Sequence, residues 1–211
     1  MIKMLKMTLW LLMAAAFTVQ AETQWEEGRH YERLDNPIRT TSSDKIEVVE
    51  VFWYGCPHCY QFKPLVEAWE AELPEDVEFS MVPAALGRTW EVHARTFYAL
   101  EAMGQLNPAT NDALFDVLAG ERRALNSADA IAGFLSEYGV DPEAFAKTFN
   151  SFGVNARFQQ AQSKVRGARI TGVPAMLVNG KYKVSGSTAG GHEQMIQVVD
   201  YLIEQERAVS E

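Results

Sequence analysis

Lys45-Ile46-Glu47-Val48-Val49-Glu50-Val51-Phe52-Trp53-Tyr54-Gly55-Cys56-Pro57-His58-Cys59 carries a strand into a helix. Its first ten residues form a β-branched and aromatic run, the pattern of a buried central strand. Gly55 breaks that run. Pro57 suits the first turn of a helix, where a missing N–H costs nothing. The helix then carries Tyr60, Phe62, Leu65, Val66 and Trp69 and ends before Pro74, with Pro64 inside it as an expected kink. Cys56 and Cys59, three apart, therefore stand where the strand passes into the helix, and they are the only cysteines in the chain.

Outward from this junction, Val77 to Val82 reads as a second short strand. From about Trp90 to Ala168 the periodicity is helical throughout. Trp90, Ala94, Phe97 and Leu100 share a face that Gly104 closes, and Leu114, Val117 and Leu118 form a shorter stripe stopped by Gly120. Ser127 caps a third helix bearing Ile131, Phe134, Leu135 and Tyr138, and Asp141-Pro142 opens a fourth. Val154, Phe158, Ala161 and Val165 mark a fifth. Strand character returns at Ala175-Met176-Leu177-Val178, Asn179-Gly180 signals a hairpin, and Tyr182 and Val184 continue the partner strand. A last amphipathic helix carries Ile196, Val199, Leu202 and Ile203. The order describes a small α/β sheet interrupted by an all-helical insertion.

The chain has 211 residues, 47% of them hydrophobic and 22% charged, an ordinary globular composition. Nineteen Lys and Arg against 28 Asp and Glu leave a charge of −9, which disfavours nucleic acid, since phosphate contacts need a basic patch. Met1 to Lys6 is a short positive segment, Met7 to Val19 an apolar run, and Val19-Gln20-Ala21 a small-x-Ala cleavage pattern. Residues 1–21 are therefore read as a secretory signal peptide rather than an uncleaved membrane anchor, because the run falls short of the ~20 residues that span a bilayer. Export places the cysteines where disulfides form.

A bridge between Cys56 and Cys59 would close so short a loop that it restrains the unfolded chain little, so the pair is read as chemical rather than structural. Cys-x-x-Cys between a strand and a helix is the redox pattern, although half a zinc site shares it. A structural zinc site needs four N/S ligands, and His30, His93 and His192 are scattered, so neither metal nor cofactor is expected. Cys56 falls at the helix N-cap or first turn, where unpaired N–H groups and the helix dipole favour an anion. Cys59 lies one turn later on the same face, within reach of a disulfide. An unperturbed cysteine is only ~3% thiolate at pH 7, and each unit of depression favours the thiolate by ~1.4 kcal/mol. Whatever stabilises the thiolate stabilises the reduced protein and makes its disulfide a stronger oxidant. His58, between the two sulfurs, is placed to donate to the thiolate or to bear charge beside it. Alternation along the strand sets Glu50 with Phe52 and Tyr54. It is there either an edge-facing, solvated carboxylate or a buried one, whose raised pKa would let it handle the proton of Cys59.

The run from Phe52 to Tyr60, with Gly172-Val173-Pro174-Ala175 and Val178-Asn179-Gly180-Lys181-Tyr182, closely resembles the DsbA family of thiol:disulfide interchange proteins. The resemblance covers essentially the whole mature chain. It implies a thioredoxin fold interrupted by an all-helical insertion domain: a thioredoxin-like first part over 22–86, the insertion over 87–168, and a second part over 169–211. It also implies a periplasmic oxidase, acting as a monomer, that donates its Cys56–Cys59 disulfide to newly exported, unfolded proteins. A DsbB-like quinone-linked membrane protein would reoxidise it. Cys56, Pro57, His58 and Cys59 are then the motif of the site. Pro174 matches a cis-proline facing the disulfide, Val173 supplies backbone groups to an extended substrate, and Glu50 matches a buried acid. Lys63 departs from the pattern, standing where the best-known family member has an acid, so charge around the active-site helix differs. Trp90, Phe97 and Tyr98 are assigned to the core of the insertion. Two other readings stand beside the oxidase. One is a reductase or isomerase on the same fold, although Glu22 to Asp44 is too short for an N-terminal dimerisation module. The other is a non-catalytic holdase or copper carrier.

Overall fold

The computed structural model describes residues 24–210. The segment read as a signal peptide lies outside the described residues. Five strands form one sheet in the order β1-β5-β4-β2-β3. β2 (Ile46–Phe52) is its centre, buried at every position, Glu47 and Glu50 of its otherwise apolar run included. It pairs in parallel with β3 (Val77–Pro83) across the crossover helix α1 (Pro57–Glu70), and antiparallel with β4 (Ala175–Val178). β5 (Tyr182–Ser185) follows β4 through a three-residue turn in which Asn179 and Gly180 both adopt positive φ and the Lys181 N–H donates to the Val178 carbonyl at 2.9 Å. A side chain at Gly180 would meet the Ile38 carbonyl at 2.0 Å, so that position accepts only glycine.

Between β3 and β4 the chain is helical: α2 (Arg88–Ala102), α3 (Pro108–Phe115), α4 (Ala128–Leu135), α5 (Pro142–Phe149) and α6 (Phe152–Gly167). Asn107, Ser127, Asp141 and Ser151 cap the last four through side-chain oxygens that accept from backbone N–H groups. α3 runs on into a π-type turn at Asp116–Gly120, and Gly139 closes a short 3₁₀ turn with φ 80°. The helical layer covers one face of the sheet, where Val49, Val51, Phe52 and Leu177 pack with Phe97, Leu114, Phe115 and Ile131. The other face holds α1 and α8 (His192–Ser210), with Val48, Phe62, Met176, Met195, Val198 and Leu202 in a second apolar cluster. Each fully buried side chain of this kind contributes about 1.5–3 kcal/mol.

Two elements are absent from the sequence reading. The segment before β2 holds β1 (Glu32–Arg33), which pairs with β5 and is too short to leave a periodicity. A one-turn helix, α7 (Gly186–Ala189), precedes α8. Trp90, half-buried, packs as expected against the core in which Phe97 and Tyr98 lie. α1 continues through Pro64, whose ring removes the N–H that would reach the Tyr60 carbonyl.

Candidate active site

Strand β2 ends at Phe52, and four residues later Cys56 takes the N-cap of α1 in extended conformation, φ −88° and ψ 115°. The turn is closed by Cys56 N–H donating to the Trp53 carbonyl at 2.9 Å and Tyr60 N–H donating to the Cys56 carbonyl at 3.0 Å. Pro57 follows at the first helical position, lacking an N–H that the helix could not use. The Cys56 sulfur accepts from the Cys59 N–H at 3.4 Å, so sulfur stands where a capping oxygen usually does. Its thiol donates to the Val173 carbonyl at 3.5 Å. The Val173–Pro174 peptide bond is cis.

Both cysteines are unbridged thiols here, and their environments differ sharply. The hydrogen bond from Cys59 pulls Cys56 down from 9.0 to about 6 against the cost of its burial. The backbone N–H groups of Cys59 and His58 and the His58 charge add to the pull. Cys59 is fully buried. That burial, followed by its bond to Cys56 and the nearby Cys56 and Glu50 charges, pushes its thiol far up. One sulfur ionises readily and the other resists.

Glu50 is buried on β2, and one of its oxygens, Oε1, has no hydrogen-bond partner. Desolvation, reinforced by the Cys56, Glu70 and Glu67 charges and opposed by Lys63, raises its carboxyl to about 8. It lines a cavity of about 330 Å³ with Lys63, Glu67 and Glu70 of α1, Phe79 of β3 and Asn111 of α3. Phe52 and Tyr54, expected beside it, pack against Phe115 in the helical layer, the first tilted and the second edge to face. Lys63 ties α1 to α3 by reaching Asp112 Oδ1 at 2.6 Å, and pairs with Glu67 as well.

Exposed on the first turn of α1, His58 opens onto a groove of about 510 Å³ shared with Val173, Pro174, Lys183, Ser185 and His192. Its ring meets His192 edge to face at 6.3 Å. All seven residues singled out from sequence thus fall around α1's N-terminus: Cys56, Pro57, His58 and Cys59 on it, Val173 and Pro174 across from Cys56, and Glu50 beneath. Among the described residues no cluster of three His, Cys, Asp or Glu is placed to hold a metal ion.

Sequence reasoning left out a second constellation. The Trp53 indole stacks on Trp90 with centroids 4.3 Å apart and planes 6° from parallel, and its Nε1–H donates to His93 Nδ1 at 2.9 Å. His93 is 3% exposed, and its Nε2 lies 3.0 Å from the Leu125 carbonyl. With Nδ1 accepting, the proton sits on Nε2, which donates to Leu125. The one available signal was a histidine amid the apolar stripe of α2, since a buried imidazole must have a partner at each nitrogen.

A DSBA-like thioredoxin domain matches residues 70–192. The thiol:disulfide interchange protein DsbA of Azotobacter vinelandii is 46% identical over 181 residues, spanning 86% of this chain and 84% of its own. The crystal structure of Pseudomonas aeruginosa DsbA superposes with a TM-score of 0.84 at 41% identity, covering 88% of this chain and 96% of that one. The oxidoreductase DsbA from Xylella fastidiosa gives 0.79 at 34% identity, over 85% and 96% of the two chains.

Proposed function

The chain belongs to the DsbA family of thioredoxin-fold thiol:disulfide oxidoreductases, and on that premise we propose that it is a periplasmic oxidase using Cys56 as the reacting sulfur. A substrate thiolate attacks the Cys56 sulfur of the Cys56–Cys59 bridge. The S–S bond breaks, a mixed disulfide forms, and Cys59 leaves with the electron pair. Glu50, holding its proton at neutral pH, supplies it to the buried Cys59 sulfur and later regains one from solvent. A second substrate thiolate then attacks the substrate sulfur of the mixed disulfide and expels Cys56 as a thiolate. Two electrons pass from the client, which gains a disulfide, to the enzyme, which becomes a dithiol.

The observation that carries this reading is the asymmetry of the two sulfurs: the N-cap thiol is acidic and the thiol one turn below is not. A stabilised Cys56 thiolate makes Cys56 a good leaving group and favours the reduced protein, so the disulfide is readily given away. Beside it, the Val173 carbonyl and the groove offer an extended client backbone pairing without side-chain readout. The clients are newly exported, unfolded proteins, and a DsbB-like quinone-linked membrane protein restores the disulfide. Among the described residues no helix is long and apolar enough to cross a membrane.

Equilibration with glutathione tests the direction. Near-complete reduction of the pair at a mildly oxidising poise is expected, while persistence of the disulfide there would make the protein a reductase instead.

A further inference from the structure

Trp53 touches both cysteines through its backbone. Its carbonyl accepts the Cys56 N–H at 2.9 Å, and its own N–H faces the Cys59 sulfur and favours that sulfur's ionised form. Its side chain lies over Gly55, where a Cβ would meet three indole atoms at 2.4 to 2.8 Å. The indole cannot swing aside to make room, because Trp90 and His93, both on α2, hold its face and its N–H. Leu125, in the connection to α4, in turn holds His93. A chain of contacts therefore runs from the helical layer to the turn that carries the dithiol.

We infer that His93 is a positioning residue for the dithiol: its imidazole fixes the Trp53 indole, and through Trp53 the helical layer sets the Cys56–Cys59 turn. The inference rests on the reading that Cys56 is the reacting sulfur. Histidine suits the place because one buried ring accepts at Nδ1 and donates at Nε2. Glutamine offers the same pair of groups in a chain, whereas leucine strands both the Trp53 N–H and the Leu125 carbonyl.

The test measures two quantities in wild type, His93→Leu, His93→Gln, Trp53→Phe and the double variant His93→Leu/Trp53→Phe. The first is hydrogen exchange of the Trp53 indole N–H, followed by NMR in the proteins that keep Trp53. The second is the midpoint of the Cys56 thiolate titration. In His93→Leu the indole should exchange about tenfold faster. The Cys56 acid constant should fall about threefold, the scale of one neutral hydrogen bond. His93→Gln should restore most of both. Trp53→Phe should shift the midpoint alone, and His93→Leu should add nothing on top of it. The inference is overturned if the indole stays protected in His93→Leu, if neither single variant moves the midpoint, or if the two shifts add. Should His93→Leu fail to fold, Trp53→Phe decides: an unmoved midpoint overturns the inference. Differences between variants judge His93, while an ordinary wild-type midpoint would fail the oxidase reading alone, so the two failures are separable.

Discussion

Glu47 and Glu50 lie three residues apart on β2, each only 2% exposed, and the protein treats them in opposite ways. Glu47 is surrounded by donors: Lys164 Nζ at 2.6 Å, the Thr41 N–H at 2.9 Å and the Thr41 hydroxyl. Burial works to raise its pKa, but the bonds from Lys164 and Thr41 win and hold it below the usual carboxylate range. Glu50, three residues nearer the cysteines, keeps an oxygen without a partner and rises to about 8. A buried acid that serves packing is neutralised by a fixed cation. An acid left to be neutralised by a proton is available to exchange it. Burial alone does not separate structure from chemistry on this strand; the donors do.

Removing the cation from the first acid should have the largest effect. Lys164→Met strands the Glu47 carboxylate and should cost about 2–3 kcal/mol, below the fully buried value because Lys164 keeps some solvent access. Urea unfolding measures the loss, and the Cys56 titration should not move. Glu50→Gln tests the other half. It should slow client oxidation about tenfold at neutral pH by removing the proton source for Cys59. With a raised carboxyl pKa, the stability that Glu50 allows at acid pH is lost as pH rises through about 8, so Glu50→Gln should outlast wild type in urea at pH 9 and not at pH 5. A matching gain for Glu47→Gln at pH 9 would erase the contrast between the two acids.

The fold was legible in large part because β2 announces itself. Seven buried residues in a β-branched run, broken by glycine and followed by Cys-Pro, leave one assignment, and the apolar stripes of α2 and α4 to α6 each end on a glycine or begin on a capping side chain. β1 and α7 escaped because two and four residues carry no period, and tertiary pairing with β5 alone makes β1 a strand. At the site, every residue on α1's first turn could be read from spacing. The neighbours of Glu50 could not. Strand alternation gives a face, but which helices cover that face depends on α1 and α3 arriving from distant sequence, and so Lys63 and Asp112 were not seen as partners. His93 leaves no local pattern, since its partners Trp53 and Leu125 lie 40 and 32 residues away.

A smaller effect separates the two redox forms. Cys56 titrates below its unfolded value only when it is a free thiol, so the advantage of the reduced protein is fully present above about 9, and it fades as pH falls through about 6. At pH 7 the difference in urea stability between reduced and oxidised protein should be about 1 kcal/mol after allowance for solvent screening, and it should vanish near pH 4. Least of all, Lys63→Met removes a charge that favours ionised Glu50, and should move the alkaline limb of the oxidation rate to higher pH, to about half the proton concentration.

The acidity of one sulfur underlies the rest, and the thiolate absorbance of the reduced protein reports it directly, with Cys56→Ala as the control that assigns the signal. Titrated in the wild-type chain, Cys56 should ionise with a midpoint near 6 while Cys59 stays protonated throughout. A midpoint near 9.0, that of a cysteine in an unstructured chain, would contradict it.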